Sequence, residues 1–242
     1  MIQFINQFPV DEKFDYDKRI ALLRERKIAQ TVEKAKNGGA DEDDYGLIEQ
    51  DEYKFHLEPN HENGSIYGYE AWTKNYCRLL SEHPIYVDPL DAFVGKGFLF
   101  LEWNPDYPYD DLKVIFEKYS IISGIDNCHH FTPDLEIGLK IGWGGILEKL
   151  KEQKALHSEE HREFYDSEIA VVTAIIAFIN RAGDEITRLS KEEKNPYLKE
   201  NLKKMAEVNY AVASGVPATF REAVQWMCWF SFFSRLYNRG PS

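Results

Sequence analysis

The stretch Val216-Pro-Ala-Thr-Phe-Arg-Glu-Ala-Val-Gln-Trp-Met-Cys-Trp-Phe230 shows how a helix starts in this chain and how deeply it must sit. Thr219 is a good N-cap, because its hydroxyl accepts from a backbone N–H left free in the first turn. Glu222, three residues on, can reach back and close a capping box. Beyond it, Phe220, Ala223, Val224, Met227, Cys228 and Phe230 recur at helical steps, and Trp226, Trp229, Phe232 and Phe233 fill the gaps. A helix apolar almost all round has to be enclosed by other elements. Only eight residues follow Ser234, so the apolar side of Ala223 to Phe233 is expected to be unusually exposed in this chain.

Working outward, the remaining pattern is mainly helical. Asp15 to Lys36 reads as a first helix, with Ile20, Leu23, Ile28 or Ala29, and Val32 at three- and four-residue steps, ended by Asn37-Gly38-Gly39. Tyr69 to Ser81 is a second, with Trp72, Tyr76 and Leu79 or Leu80 on one face. Between Ile85 and Leu101 the grammar changes to prolines, glycines and the β-rich runs Ile85-Tyr-Val and Phe98-Leu-Phe-Leu, which predict two or three short strands. Leu112 to Ser120 reads as a short helix. Thr132-Pro133 predicts another helix start, and Leu135, Leu139, Ile146, Leu147 and Leu150 then give its apolar face. Gly142, Gly144 and Gly145 interrupt that helix or admit another backbone, with the interruption slightly favoured. Glu163 to Arg188 predicts a long buried helix, and Pro196 precedes a further one, Tyr197 to Val212. The fold class is mainly α with a few short strands.

Composition excludes several functions. A net charge of −12 without a basic stripe argues against nucleic acid and against an anionic membrane surface. Cys77, Cys128 and Cys228 are odd in number and widely spaced, so no disulfide framework is expected. The longest apolar run, Ile169 to Ile179, is too short to span a bilayer. The N-terminus lacks the pattern of a signal peptide. A soluble cytoplasmic protein is expected.

Two candidate sites stand out. His157-Ser-Glu-Glu-His161 fits H-x-x-E-H, the string that in inverted zinc proteases puts two ligands and a base on one helix. Its surroundings are rich in Lys and Glu, so a solvated helix face is the simpler reading, and a zinc hydrolase using His157, Glu160 and His161 is a distant alternative. Cys128-His129-His130 gathers three possible ligands, but neighbouring residues point apart and nothing completes a tetrahedral set. The tripeptide does precede a helix N-terminus, where a histidine can bond a small polar ligand and anionic groups are favoured.

Several segments, in order, resemble the leading part of a glycyl radical enzyme of the pyruvate formate-lyase-like superfamily. They are Lys18-Arg-Ile-Ala-Leu-Leu-Arg-Glu-Arg26; Glu70-Ala-Trp72 with Arg78 through Val94-Gly95; His130-Phe-Thr-Pro-Asp-Leu-Glu-Ile-Gly-Leu139 with Gly142 to Ile146; and Pro217-Ala-Thr-Phe-Arg-Glu-Ala-Val-Gln225, similar to the signature P-x-T-F-x-E-A-x-Q. The resemblance implies that residues 1–242 are the N-terminal part, a truncated one, of a ten-stranded α/β barrel. It implies thiyl-radical cleavage of a C–C or C–heteroatom bond, of the lyase, dehydratase or formate acetyltransferase kind. It implies a backbone glycyl radical in a missing C-terminal part and no bound cofactor or metal here. The implied partners are a small-molecule substrate, a radical S-adenosylmethionine activating enzyme and a second copy in a homodimer. No catalytic residue is carried over to this chain. His130 is expected to bind substrate hydroxyls, although His129 stands before it where the family has glycine. The isolated chain is expected to be inactive. The alternative from another class is a non-catalytic helical binding or scaffold protein derived from the same family.

Overall fold

A computed structural model describes residues 13–36, 55–96, 101–102, 104–107, 114, 117–118 and 133–238. The described elements are α1 (Tyr16–Lys36), β1 (Phe55–His56), α2 (Tyr69–Glu82), β2 (Leu101–Glu102), α3 (Leu135–Leu156), a 3-10 turn (Glu159–His161), α4 (Arg162–Glu192), α5 (Pro196–Ser214) and α6 (Phe220–Asn238).

Helix α4 is the axis of the helical layer. Its Val172, Ile175, Phe178, Ile179, Ala182 and Ile186 are buried, spaced so that one stripe faces the partners α2, α3 and α5. Gly183 lets α5 come close, since a Cβ there would meet the Tyr210 ring at 2.7 Å. Asn195 starts α5 by accepting from the N–H groups of Tyr197 and Leu198, with Pro196 in the first helical position. That start comes from local chemistry legible in the residues.

Other expectations need correcting. Residues 85–87 form no strand; Tyr86 and Val87 are buried in an irregular path. Among the described residues the sheet is a single parallel pair, Phe55 against Leu101 and His56 against Glu102. Phe55 is held there by burial beneath the Arg78 guanidinium, which also donates to the His56 carbonyl. The ten-stranded barrel is not seen among the described residues. The third helix starts two residues later than expected, with Asp134 as its cap, accepting from Glu136 N at 3.0 Å. On α1 the expected stripe fails past its middle: Ile28 and Val32 are exposed. Among the described residues the helix packs through its first half, with Leu22 and Leu23 against Phe14, Leu90 and Leu198. The expected helix at 112–120 lies largely outside the described residues.

The glycines of α3 do both things considered for them. Gly142 has φ 63 and kinks the helix. A Cβ on Gly142 would overlap the Gly215 carbonyl oxygen, and one on Gly144 would overlap that of Ser214. The kink and the close approach are one device, because a backbone can press against a helix only where side chains are missing.

Helix α6 is covered rather than exposed, contrary to expectation. Trp226, Trp229, Phe232, Phe233 and Leu236 are buried, and only Phe220 and Met227 remain exposed among its large described apolar residues. The reason is that its faces are shared out. Trp143 of α3 stacks on Trp226 at 4.9 Å, and Phe178 of α4 meets Trp229, Phe232 and Phe233 edge-on or tilted. Full burial of each phenylalanine contributes about 1.5–3 kcal/mol.

Candidate functional site

Two of the sequence segments that carry the resemblance meet on helix α6. Segment 88–96 turns at Asp88–Asp91, where Asp91 N donates to Asp88 O, and then passes α6 without regular secondary structure, and side chains take several of its backbone groups. The buried Gln225 is the centre of this. Its Oε1 accepts from Val94 N at 3.0 Å and its Nε2 donates to Val94 O at 2.6 Å, as a neighbouring strand would. Arg221 donates to Ala92 O, and Asn201 of α5 donates to the carbonyls of Pro89 and Asp91. Arg19 of α1 donates to Leu90 O. Gly95 has φ 145, and a Cβ there would stand 3.3 Å from the Cys228 carbonyl. The paired Val94-Gly95 and the Thr219–Gln225 signature therefore form one structural unit. Sequence reading names Gln225 as the last residue of the signature but gives it no role; the signal for one is an amide placed in the middle of an aromatic, enclosed helix.

Charge reinforces the clamp. Asp88 is buried, paired with Arg26, and turns its other oxygen to Leu90 N at 2.9 Å. Lys96 lies 3.3 Å from Asp91. Burial first, and Arg19 second, push the Arg221 guanidinium below its ordinary range. Burial, then the Asp91 carboxylate, push the Cys228 thiol up, and burial does the same to Cys77.

The third segment of interest arrives on the same helix from the other side. His130, with Cys128 and His129, lies outside the described residues. The helix C-terminal to it is held firmly: α3 begins at Leu135 behind its Asp134 cap, and a Cβ on Gly138 would overlap the Trp226 ring. Trp143 continues the stack through Trp226 to Phe230. The Trp229 indole donates to Asn209 at 2.7 Å. The indole nitrogens of Trp143 and Trp226 are buried without an acceptor among the described residues. Helix α6 thus anchors both segment 88–96 and the helix that comes after His130. In chemical terms the arrangement is a positioning frame.

The H-x-x-E-H string does not lie on one α-helix. His157 ends α3, and Glu160 and His161 belong to the 3-10 turn, so the shared face that a two-histidine site needs is absent. The two imidazoles are 6.0 Å apart, and His157 Nδ1 bonds Gln153 O at 2.7 Å. No group of three metal-ligating side chains occurs among the described residues.

The family model described as pyruvate formate lyase-like matches residues 114–242, over half of the 242-residue chain. The isethionate sulfite-lyase of Oleidesulfovibrio alaskensis is 29% identical over 140 residues, covering 54% of this chain and 17% of the relative. That of Bilophila wadsworthia is 26% identical over the same length and shares. Among solved structures, the glycerol-bound B12-independent glycerol dehydratase from Clostridium butyricum superposes with a TM-score of 0.55 at 16% identity. The match covers 69% of this chain and 29% of that one. A Roseburia inulinivorans protein described for 1,2-propanediol dehydration gives 0.57 at 16%, with the same coverage. A glycyl radical enzyme from Archaeoglobus fulgidus gives 0.53 at 18%, again with 69% and 29%. The chain shares the fold of that part of these structures, and its match spans about a sixth of the length of the curated relatives.

Proposed function

Because the chain belongs to the pyruvate formate lyase-like family, we propose that it is the N-terminal helical portion of a glycyl radical lyase or dehydratase that eliminates a leaving group from a small hydroxylated substrate. The observation that carries this is the family match across residues 114–242, the region that contains His130 and the whole α3–α6 frame. The named relatives favour elimination over acetyl transfer. Isethionate, glycerol and 1,2-propanediol each carry a hydroxyl on the carbon next to the one that loses sulfite or water. One recognition group for a hydroxyl would serve all three.

In this reading, His130 bonds the substrate hydroxyl, and the described residues fix the helix that begins at Leu135, five residues further on. The glycyl radical and its cysteine partner supply hydrogen-atom abstraction when installed. Neither Cys77 nor Cys228 is assigned to that work, since both are half-buried in the helical layer with thiols pushed up by burial. An activating enzyme, a homodimeric whole and a cytoplasmic location belong to the same proposal. No described helix is long and apolar enough to cross a membrane.

The test is anaerobic expression of the polypeptide encoded by the gene, together with a radical S-adenosylmethionine activating enzyme. A glycyl radical signal by electron paramagnetic resonance is expected, with release of sulfite or water from at least one of the three substrates. His130→Ala should raise KM about 10- to 100-fold with the radical signal unchanged, the loss of one bond to the substrate. The 242-residue chain alone should turn nothing over. Absence of the radical signal, or turnover by the isolated chain, sinks the reading.

A further inference from the structure

At the turn between α3 and α4, aromatic rings form a continuous ladder that is exposed at both ends and half-buried at Tyr165. Tyr69 meets Phe164 at 5.4 Å, Phe164 meets Tyr165 at 5.3 Å, Tyr165 meets His157 at 5.2 Å, and His157 meets His161 at 6.0 Å. Tyr69 is 56% exposed and Phe164 38%, and Leu156 beside His157 is 77% exposed. Isolated apolar side chains on a surface need no explanation, but a run of touching rings does. The Tyr165 hydroxyl lies 3.2 Å from His157 Nδ1, which ties the middle of the ladder, while Tyr69 and His161 at its two ends stay more than half exposed.

The charges around the ladder say what would cover it. Its two nearby cations are already taken: Lys154 pairs with Asp166, and Arg162 with Glu159. Glu70, Glu160 and Glu163 have no Lys or Arg partner among the described residues. Glu160 lies 3.4 Å from His161, and Glu163 accepts from Glu70 N at 3.3 Å. The rim is therefore acidic, on a chain whose net charge is −12. A second copy docking symmetrically would set these carboxylates against themselves, and nucleic acid or an anionic membrane would be repelled.

We propose that this ladder is a docking surface for a cationic polypeptide segment, one that lays arginine side chains on the ring faces and meets the carboxylate rim with their guanidinium edges. A ring attracts a cation through its quadrupole, and arginine adds planar stacking that lysine lacks. The rings give the surface its place, and the net negative charge draws the partner toward it.

Hexa-arginine is the probe, titrated calorimetrically into the 242-residue chain at moderate salt, with hexa-lysine and hexa-glutamate for comparison. Hexa-arginine should bind, hexa-lysine more weakly and hexa-glutamate not at all. The double change Tyr69→Ser with Phe164→Ser keeps the charge and should weaken hexa-arginine binding roughly 5- to 30-fold. Glu160→Lys should weaken it too, and Ile28→Ser, on exposed α1, should not. Circular dichroism should be unchanged in each. Equal binding by the double variant and the parent would mean diffuse charge attraction and overturn the proposal, as would no binding at all. A dimer in sedimentation that the double variant dissolves would make a second copy the occupant, and overturn it equally.

Discussion

Helix α6 and segment 88–96 lie against each other, yet they are fastened differently. Along α6 the fastening is by area: Trp226, Trp229, Phe232 and Phe233 press into rings from α3 and α4. Along segment 88–96 it is by direction, through the Gln225 amide, Asn201, Arg19 and Arg221 on named backbone groups. Area tolerates small shifts of a ring; a pair of buried hydrogen bonds fixes register to within a fraction of an ångström. The part of the frame that must be rigid in depth is apolar, and the part that must be rigid along the chain is polar.

The largest expected effect tests the first kind of fastening where it has no slack. Gly142→Ala places a methyl on the Gly215 carbonyl, at a φ of 63 that a side chain resists. Left-handed strain and overpacking together should cost about 2–5 kcal/mol. Chemical denaturation checks it, through a lower midpoint at unchanged slope. A loss below about 1 kcal/mol would mean that the turn before α6 yields easily, and that the two regions are less different than the contacts suggest.

Gln225→Ala probes the second kind. It leaves the buried Val94 N–H and C=O without the one side chain that bonds both, and should cost about 1–3 kcal/mol. Hydrogen exchange should sharpen the comparison: the Val94 amide should lose protection in the variant, and amides in the middle of α4 should keep theirs. Equal loss in both places would show that area, not direction, holds segment 88–96.

The same contrast explains which parts of the molecule are legible in its sequence. Apolar periodicity is repeated over many residues, so α4, α5 and α6 can be placed from the Val172-to-Ile186, Leu198-to-Val212 and Phe220-to-Phe233 patterns. The glycines of α3 are visible as an anomaly, and the structure shows that the kink and the close packing coincide. Segment 88–96 is not legible, because its partners are single polar residues spread over α1, α5 and α6. Ile85-Tyr86-Val87 resembles a strand, since burial of β-branched and aromatic residues is the same signal whether or not a strand lies beside them. The cover over α6 escapes sequence reading for a different reason: the residues show how apolar a helix is but not how many of its faces the other helices reach. The expected site residue, His130, lies outside the described residues, so what the structure adds is the packing of α3 to α6.

The smallest of these effects belongs to the residue where the two regions join. Thr219 Oγ1 accepts from Glu222 N at 3.2 Å, as a capping threonine should. The return bond differs from the expected box: Glu222 accepts from Ala218 N at 2.7 Å, one residue earlier. The cap therefore ties the turn that presses on α3 to the first turn of the helix that bears Gln225. Thr219→Ala removes one half of this tie and should cost about 1 kcal/mol, with Thr219→Ser nearly silent. If the alanine variant also lowered protection at Val94, the helix start would be setting the register of segment 88–96. If protection there is unchanged, Gln225 fixes that register on its own and the cap serves only α6. The second outcome is expected, because Gln225 sits in the second turn of α6, past the reach of a frayed first turn.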